Sequence, residues 1–369
     1  MELYYIIFSL VLLSCIFEKA QTLTKKRVLI FWCIFFILFG GLRWRTGGDW
    51  EQYYGHFLFS SWENIFNYDR YGDGRDILEP GFVFLNVLIK TIFGEFYIYN
   101  LIICSFIQYT YCRLSYKFAP NYPILMYAYL TINATNYFPV RAGLSLAIAF
   151  WAYKYIKEQN LMGFLIVVAI ATLIHNQCII LLPFYWAGKL KFNYITFTIL
   201  YVIVAVCGYI FQDYFITIAA SMGGSLAEKA YNYTQFQTLG RGDINYMSWG
   251  LNYVLVMIYI YYRKKFKSND DLWVNALIVM SAVHSFIFIV FSDGMGDLTR
   301  LATLFILAKA ILFVQCFTTL AKSKSFVLKA FSISFIVLFM IYRMTKIYDW
   351  YFFEAANVPY KTVFNYNML

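Results

Sequence analysis

Charge is scarce in this 369-residue chain, and the common motifs that bind metals or nucleotides are missing. Only 14% of the residues are charged, whereas 61% are hydrophobic. A soluble domain does not sustain such a composition over this length. The sequence also has no Asp-x-Asp motif, no His-x-x-x-His motif and no glycine-rich nucleotide loop. We therefore expect a membrane protein that uses no metal, no cofactor and no nucleotide-sugar donor.

Cysteine spacing and charge distribution exclude two further classes of protein. The 7 cysteines include no Cys-x-x-Cys pair and nearly all lie in apolar runs, so neither a disulfide framework nor a zinc site is indicated. The formal net charge is +10, but the basic residues are scattered among the loops between apolar runs. This pattern is typical of cytoplasmic loops in membrane proteins, and it argues against nucleic acid as a partner.

Apolar runs near the length needed to cross a bilayer repeat from one end of the chain to the other. Together with a short hairpin over 161–175 and 177–188, they predict an all-α, polytopic integral membrane protein. We expect roughly 12 transmembrane helices, with 1–369 forming a single transmembrane domain. The long runs are Leu3–Phe17, Val28–Leu42, Phe96–Tyr111, Ile124–Phe138, Tyr194–Phe211, Trp249–Tyr262, Leu272–Phe291 and Phe326–Tyr342.

Six basic clusters set the predicted topology, because cytoplasmic loops are enriched in Lys and Arg. They hold more than half of the 30 basic residues. With these clusters in the cytoplasm, two long loops, 43–80 and 212–248, lie outside. The parity of the runs then requires Pro80–Phe93 to be a re-entrant or interfacial helix. The clusters are 19–27, 113–117, 154–157, 189–191, 263–267 and 322–329.

The two long outer loops are rich in aromatic residues and in charges of both signs. Long loops of this kind often carry binding sites. Aromatic rings stack on sugar faces, so the first loop provides four candidate glycan contacts. The alternative is an ordinary aromatic belt at the membrane interface. The candidates are Arg45, Trp50, Tyr53 and Tyr54.

Two arginines stand at the starts of apolar helices. Arg141 and Arg300 each precede a long apolar run. The positive end of a helix dipole disfavours a cation unless an anion joins it. The placement therefore predicts a site for an anionic head group such as a diphosphate. Arg141 has no acid nearby in the sequence, whereas Asp293 and Asp297 are alternative partners for Arg300.

A third arginine, Arg43, stands in a glycine-rich turn. Gly40-Gly41 precedes it, and Gly47-Gly48 follows it just before Asp49. Such a turn presents amide N–H groups beside a guanidinium and could hold a phosphate. The alternative is that Arg43 complements the negative C-terminal end of its own helix.

Asp49, Glu79 and His175 are the candidate general bases. Glu79 precedes Pro80, which also fits an ordinary helix start. His175 heads a polar trio within an apolar stretch, where polar groups are often functional, although a lone histidine in a helix is more often structural. Lys309 is expected instead to extend its ammonium group toward the cytoplasmic surface.

These residues together resemble the EpsG family of exopolysaccharide proteins, a branch of the Wzy-type polymerases. The chain departs from the family at Ala142, where an amide residue is more usual, and at Asn176 and Gln177, where serine is favoured. The matching segments are Gly41-Leu42-Arg43, Gly48-Asp49, Tyr53-Tyr54, Glu79-Pro80-Gly81, Arg141–Ala147, Ala171–Pro183 and Arg300.

The resemblance implies that the protein joins polyprenyl-diphosphate-linked oligosaccharide repeat units. The reaction would take place on the outer side of the bacterial inner membrane, without a metal. Arg43, Arg141 and Arg300 would bind the departing diphosphate, and one of the three candidate bases would accept the proton. The expected partners are the lipid-linked oligosaccharide, membrane lipid and a chain-length regulator protein.

Three rival functions fit some of the same residues. A flippase or other transporter of lipid-linked oligosaccharides would also bind diphosphate, but along the depth of a cavity. An O-antigen ligase shares the donor and passes the glycan to the lipid A core of lipopolysaccharide. A membrane O-acyltransferase needs a catalytic histidine in a polar funnel, and His175 alone gives thin support for that interpretation.

Overall fold

The computed structural model describes residues 2–70, 77–133, 140–221, 246–263, 271–291, 300–348 and 357–364. These residues form α-helices and four 3-10 helices, together with two isolated β-bridges. The predicted all-α fold class is confirmed for the described part of the chain. The 3-10 helices are Ser14–Lys19, Trp62–Asn64, Asn176–Lys189 and Arg300–Phe305.

Fourteen α-helices follow one another along the described residues. They are α1 (Glu2–Leu13), α2 (Thr22–Gly41), α3 (Trp50–Phe59), α4 (Pro80–Phe93), α5 (Phe96–Phe118), α6 (Pro123–Asn133), α7 (Val140–Phe150), α8 (Ala152–Lys157), α9 (Leu161–Ile174), α10 (Tyr194–Ser221), α11 (Tyr246–Tyr262), α12 (Asp271–Phe291), α13 (Ile306–Ala321) and α14 (Phe326–Tyr348).

Three helical stretches in the described residues are long and apolar enough to cross a membrane. They are Leu272–Val290, Arg300–Ala321 and Phe326–Thr345. Four shorter apolar helices are Pro80–Phe93, Leu161–Ile174, Tyr194–Cys207 and Trp249–Tyr261. These helices fit a membrane protein, while the count of roughly 12 spans stays a prediction.

The helices group into two compact units. The first contains Met1–Tyr68, Leu78–Ile179 and Val314–Leu369, and the second contains Asp69–Ile77 and Ile180–Phe313. The assignment of 1–369 to a single transmembrane domain stays a prediction.

Helix α5 is central to the first unit, where it packs against α2, α4, α6 and α7. Its contact with α2 depends on a glycine, since a Cβ atom added at Gly41 would lie 2.8 Å from the Cα atom of Leu101. This close approach explains why the last turn of α2 ends in glycine.

Helix α4 has the features expected of a helix that does not cross the bilayer. It has 14 residues, so it is about 21 Å long, whereas a hydrocarbon core is about 30 Å thick. Its Lys90 ammonium group donates hydrogen bonds to the carbonyl oxygens of Leu58 and Ser60 at the end of α3. A cation at the negative end of a helix is favourable. The re-entrant or interfacial placement of α4 stays a prediction.

The second unit contains a buried polar cluster between helices. The Lys309 ammonium group donates to Asn252 Oδ1 at 2.7 Å and lies 3.3 Å from His284 Nδ1. Lys309 is 6% exposed. The prediction that Lys309 extends toward the cytoplasmic surface is therefore wrong. The ammonium group contacts polar side chains on two other helices inside the unit. These side chains are 57 and 25 residues away in sequence, so the sequence did not indicate the contacts.

Candidate active site

Glu79, Arg141 and His175 form one cluster in the first unit. Glu79 Oε2 accepts a hydrogen bond from Arg141 Nη1 at 2.9 Å, and Glu79 Oε1 lies 3.0 Å from His175 Nδ1. The backbone amide of Asn176 also donates to Glu79 Oε1 at 3.0 Å. The three side chains keep 12%, 15% and 19% of their surface exposed, respectively. The cluster is thus largely desolvated, but each of its side chains keeps some surface exposed to solvent.

The local sequence at Glu79 places its carboxylate for this role. Glu79 is the residue before α4 and has an extended backbone, and Pro80 fills the first helical position. Pro80 fits the expected helix start, because its fixed φ angle suits that position. The Glu79 side chain makes no capping hydrogen bond to its own helix. The carboxylate is therefore available to bind Arg141 and His175.

Gly81 allows the start of α4 to approach the end of α9. A Cβ atom added at Gly81 would lie 2.7 Å from the carbonyl oxygen of Leu173. Leu173 is two residues before His175. The Glu79-Pro80-Gly81 motif therefore supplies a carboxylate, a helix start and a close contact in consecutive positions.

We expect Gly81→Ala to destabilise the protein by about 1–3 kcal/mol, because the added methyl group would overlap backbone atoms that cannot move independently. Thermal unfolding in detergent measures this change. Gly55→Ala in α3 is the matched control, since a Cβ atom there meets nothing within 4 Å. The control should leave stability unchanged or raise it, by up to about 1 kcal/mol. Equal stability of the two variants would show that the contact with Leu173 is not close in solution.

His175 ends α9 in a conformation that fixes its tautomer. Its amide donates to the Ala171 carbonyl at 2.9 Å, and its backbone is extended. The chain then turns so that both His175 Nδ1 and the Asn176 amide reach Glu79. Because an ionised carboxylate only accepts hydrogen bonds, Nδ1 carries the hydrogen. In the neutral ring, Nε2 is then the atom that can accept a proton.

The Glu79 carboxyl is strongly acidic in this setting. Burial alone would raise its pKa. The hydrogen bond from His175, the charge of Arg141 and the backbone amides of Asn176 and Glu79 outweigh burial and lower the pKa of Glu79 to about 2. Glu79 is therefore ionised at neutral pH and is a weak proton acceptor. Its contacts suit it to orient His175.

Arg141 lies in the first turn of α7, which begins at Val140. The predicted position at a helix start is thus confirmed. No acid lies near Arg141 in the sequence, but its guanidinium pairs in space with Glu79, which is 62 residues away in sequence and 2.9 Å away in the structure. The expectation that Arg141 lacks an acidic partner is therefore wrong. In the described part of the chain, the Arg141 side chain forms this one hydrogen bond, through Nη1. Its remaining N–H groups can still contact an anion.

Arg43 is covered by the C-terminal segment of the chain. The amide of Trp44 donates to the Lys361 carbonyl at 2.9 Å, and the amide of Val363 donates to the Leu42 carbonyl at 2.9 Å. One of the amides expected to face a phosphate is therefore already bound. Arg43 is 2% exposed, and burial lowers its pKa to about 10, so it keeps its charge at neutral pH. Its role in diphosphate binding stays a prediction.

The model of the EpsG family matches residues 26–362. This range includes Glu79, Arg141 and His175. The chain belongs to the EpsG family. No curated protein and no solved structure shows detectable similarity to it. Membership of the EpsG family associates the chain with polysaccharide polymerases and with a lipid-linked saccharide substrate in general.

The other candidate residues of the first outer loop lie around α3 in this EpsG-family chain. Asp49 immediately precedes α3 and is exposed, as is Arg45. Trp50 is 3% exposed and Tyr53 is 8% exposed. The Trp50 ring stacks on Tyr54 with the ring centroids 5.1 Å apart. Trp50 and Tyr53 thus pack inside the protein, and glycan binding by these residues stays a prediction.

Arg300 lies in the second unit of this EpsG-family chain. It opens the 3-10 helix Arg300–Phe305 that leads into α13, and it is exposed. The predicted start of a helix at Arg300 is confirmed, while its diphosphate role stays a prediction. Its alternative partners, Asp293 and Asp297, lie outside the described residues, as does most of the outer loop 212–248.

Two contacts in the first unit had no signal in the sequence. Arg343 on α14 donates from Nε to Asn133 Oδ1, at the end of α6, at 2.7 Å. Lys361 contacts the Arg43 turn through its backbone. Arg343 stands just beyond the apolar run Phe326–Tyr342. The family match, which extends to residue 362, includes both.

Proposed function

We propose that this protein is a polysaccharide polymerase of the inner membrane. It joins oligosaccharide repeat units that are linked to polyprenyl diphosphate, on the outer side of that membrane. The observation that carries the proposal is the cluster of Glu79, Arg141 and His175. A base with a fixed tautomer and a guanidinium share one carboxylate there. In glycosyl transfer with a diphosphate leaving group, a base can accept the proton of the acceptor hydroxyl, and a cation can stabilise the departing diphosphate.

In the proposed reaction, an acceptor hydroxyl of one lipid-linked unit attacks the anomeric carbon of another. The new carbon–oxygen bond forms as the bond from that carbon to the phosphate oxygen breaks. The hydroxyl proton moves to Nε2 of His175, and the bonding electron pair leaves with the polyprenyl diphosphate. His175 is thus the proposed general base among the three candidates.

Arg141 is proposed to stabilise the departing diphosphate. Negative charge grows on the leaving phosphate oxygens, and a guanidinium placed in advance stabilises that charge without a metal. The first turn of α7 adds the positive end of a helix dipole at the same place. Arg43 and Arg300 are proposed as further diphosphate contacts.

Glu79 is proposed to position both groups. Its hydrogen bond to His175 Nδ1 directs Nε2 away from the carboxylate, and its negative charge stabilises the imidazolium that forms when His175 accepts the proton. Asp49 stays an alternative candidate for the base, and Arg45, Trp50, Tyr53 and Tyr54 are proposed to contact the glycan. A chain-length regulator protein is a proposed partner.

Reconstitution tests this proposal directly. The purified protein is placed in liposomes with one polyprenyl-diphosphate-linked repeat unit and no nucleotide sugar, and the products are separated on a gel. We expect a ladder at repeat-unit spacing. Movement of the intact unit across the bilayer without a ladder would instead identify a flippase. Transfer of glycan only to added lipid A core would identify a ligase.

A further inference from the structure

An apolar groove opens in the first unit between α1, the 3-10 helix Ser14–Lys19 and α2. Its volume is about 410 Å³, within the range of about 300–1,000 Å³ that is common for ligand pockets in proteins. Leu10 is 49% exposed and Leu13 is 61% exposed, so a ligand can enter the groove directly from outside the protein. The larger side chains of the lining are Leu10, Leu13, Ile16, Phe17, Phe31 and Trp32.

The polar side-chain groups in the lining of this groove are engaged with each other. They are the hydroxyl of Ser14 and the indole N–H of Trp32. The Ser14 hydroxyl donates to the Val11 carbonyl at 2.6 Å and accepts from Trp32 Nε1 at 3.1 Å. A ligand in the groove therefore meets apolar surface. A hydrocarbon chain suits such a lining, because its binding needs no polar partner.

Three exposed basic residues, Lys19, Lys26 and Arg27, stand beside one end of the groove, and we call them the basic trio. Lys19 ends the 3-10 helix two positions after Phe17. Arg27 precedes Phe31 by four positions on α2, so the two side chains share one face of that helix, one turn apart. Positive charge therefore lies where the groove meets the connection between α1 and α2.

The acid nearest in sequence to the basic trio already has other partners. Glu18 Oε2 lies 3.8 Å from Lys25 Nζ, and Glu18 Oε1 accepts a hydrogen bond from the Leu125 amide at 2.8 Å. The basic trio forms no ion pair within the part of the chain that the structure describes. The predicted topology places 19–27 in the cytoplasm, and the cytoplasmic leaflet carries negative charge from anionic lipids.

We infer that the groove binds an acyl chain of an anionic phospholipid of the membrane, whose phosphate contacts the basic trio. Burial of apolar surface holds the chain. The ammonium and guanidinium groups attract the phosphate and donate hydrogen bonds to it. A zwitterionic lipid with the same chains carries no net charge, so it is held less tightly. The inference does not depend on the proposed polymerase reaction.

The charge contribution is tested by titrating lipids into the purified protein in an uncharged detergent and counting bound lipids by native mass spectrometry. The probes are phosphatidylglycerol and phosphatidylcholine with identical acyl chains. The combined change Lys26→Gln and Arg27→Gln should weaken phosphatidylglycerol binding about 30-fold, as for two basic residues that each contribute about 1 kcal/mol. Lys324→Gln with Lys329→Gln is the matched control, since both residues are exposed lysines of the first unit. It should bind like the unchanged protein.

The groove itself is tested by Leu10→Trp, which fills it from α1. We expect phosphatidylglycerol to bind at least about 10-fold more weakly, because the loss of about two buried CH₂ groups already has this effect. Leu338→Trp on α14 is the matched control, since Leu338 is 65% exposed and the groove lining does not include it. The thermal midpoint without added lipid should be the same for Leu10→Trp and its control.

Four results would overturn the inference. The two lipids could bind equally well, or both pairs of charge changes could weaken binding equally, which indicates a general response to charge. Leu10→Trp could keep the affinity for phosphatidylglycerol, which places the acyl chain elsewhere. Leu10→Trp could weaken binding of sugar-free polyprenyl diphosphate and not of phosphatidylglycerol, which assigns the groove to the polyprenyl chain. The unchanged protein could form dimers that only Leu10→Trp dissociates, which assigns the groove to a second copy of the chain.

Discussion

Replacing Arg141 with alanine is expected to lower the rate of ladder formation about 10³-fold. Removal of one preorganised group that stabilises developing negative charge costs about 10²–10³ in rate, and guanidiniums that act on transferring phosphoryl groups contribute at least as much. Arg141→Lys should recover only part of the loss, because an ammonium group lacks the planar pair of donors that fits a phosphate. Single-turnover rates with saturating lipid-linked unit measure both effects.

The folded protein should survive loss of Arg141. Glu79 keeps its contacts with His175 and with the Asn176 amide in Arg141→Ala. Lys117→Ala is the matched control, since it breaks another ion pair, the 3.2 Å contact with Glu158. Both of those side chains are more exposed, and pairs of this kind contribute little. The control should retain full activity. A fully active Arg141→Ala protein would contradict the diphosphate role.

A structural ion pair is the main alternative for Arg141. It predicts that Arg141→Ala lowers the thermal midpoint and the rate together. The proposed role predicts a loss of rate that persists well below the unfolding temperature, in addition to any stability lost with the contact to Glu79. A rate loss that disappears when the protein is assayed well below its unfolding temperature would favour the structural interpretation.

The sequence predicted most helices, because apolar runs in a membrane protein have few alternatives. The run Leu272–Phe291 matches α12, and Phe326–Tyr342 matches the start of α14. The observed ends differ where polar residues extend a helix beyond its apolar part. Helix α5, for example, continues past Tyr111 to Phe118.

Pairing between helices was beyond sequence reasoning. The sequence indicated Glu79, Arg141 and His175 as separate candidates but did not predict their contacts. Glu79 is 62 residues from Arg141 and 96 residues from His175 in sequence. The same limit applies to Lys309, whose acceptors lie on other helices. Single residues in unusual places could be recognised, whereas their neighbours in space could not.

The second large effect is expected at His175. His175→Ala should lower the rate of ladder formation about 10²–10⁴-fold, the range typical of a lost general base. His175→Asn should not restore the rate, because an amide can replace the hydrogen bond to Glu79 but cannot accept the proton. His56→Asn is the matched control, since His56 is also a histidine of the first unit but lies 3.3 Å from the Tyr68 hydroxyl instead of a carboxylate. It should keep its catalytic rate.

The pH dependence of stability tests the ionised state of Glu79. The pKa of Glu79 is lowered to about 2 from a usual 4.5, so its carboxylate stabilises the fold above about pH 4.5, and that stabilisation is lost as the pH falls toward 2. Between pH 5 and 7, Glu79 stays ionised and the fold keeps this contribution. The thermal midpoint should therefore hold between pH 5 and 7 and fall as the pH drops from about 4.5 toward 2. A midpoint that does not fall over that acid range would argue against the lowered pKa of Glu79.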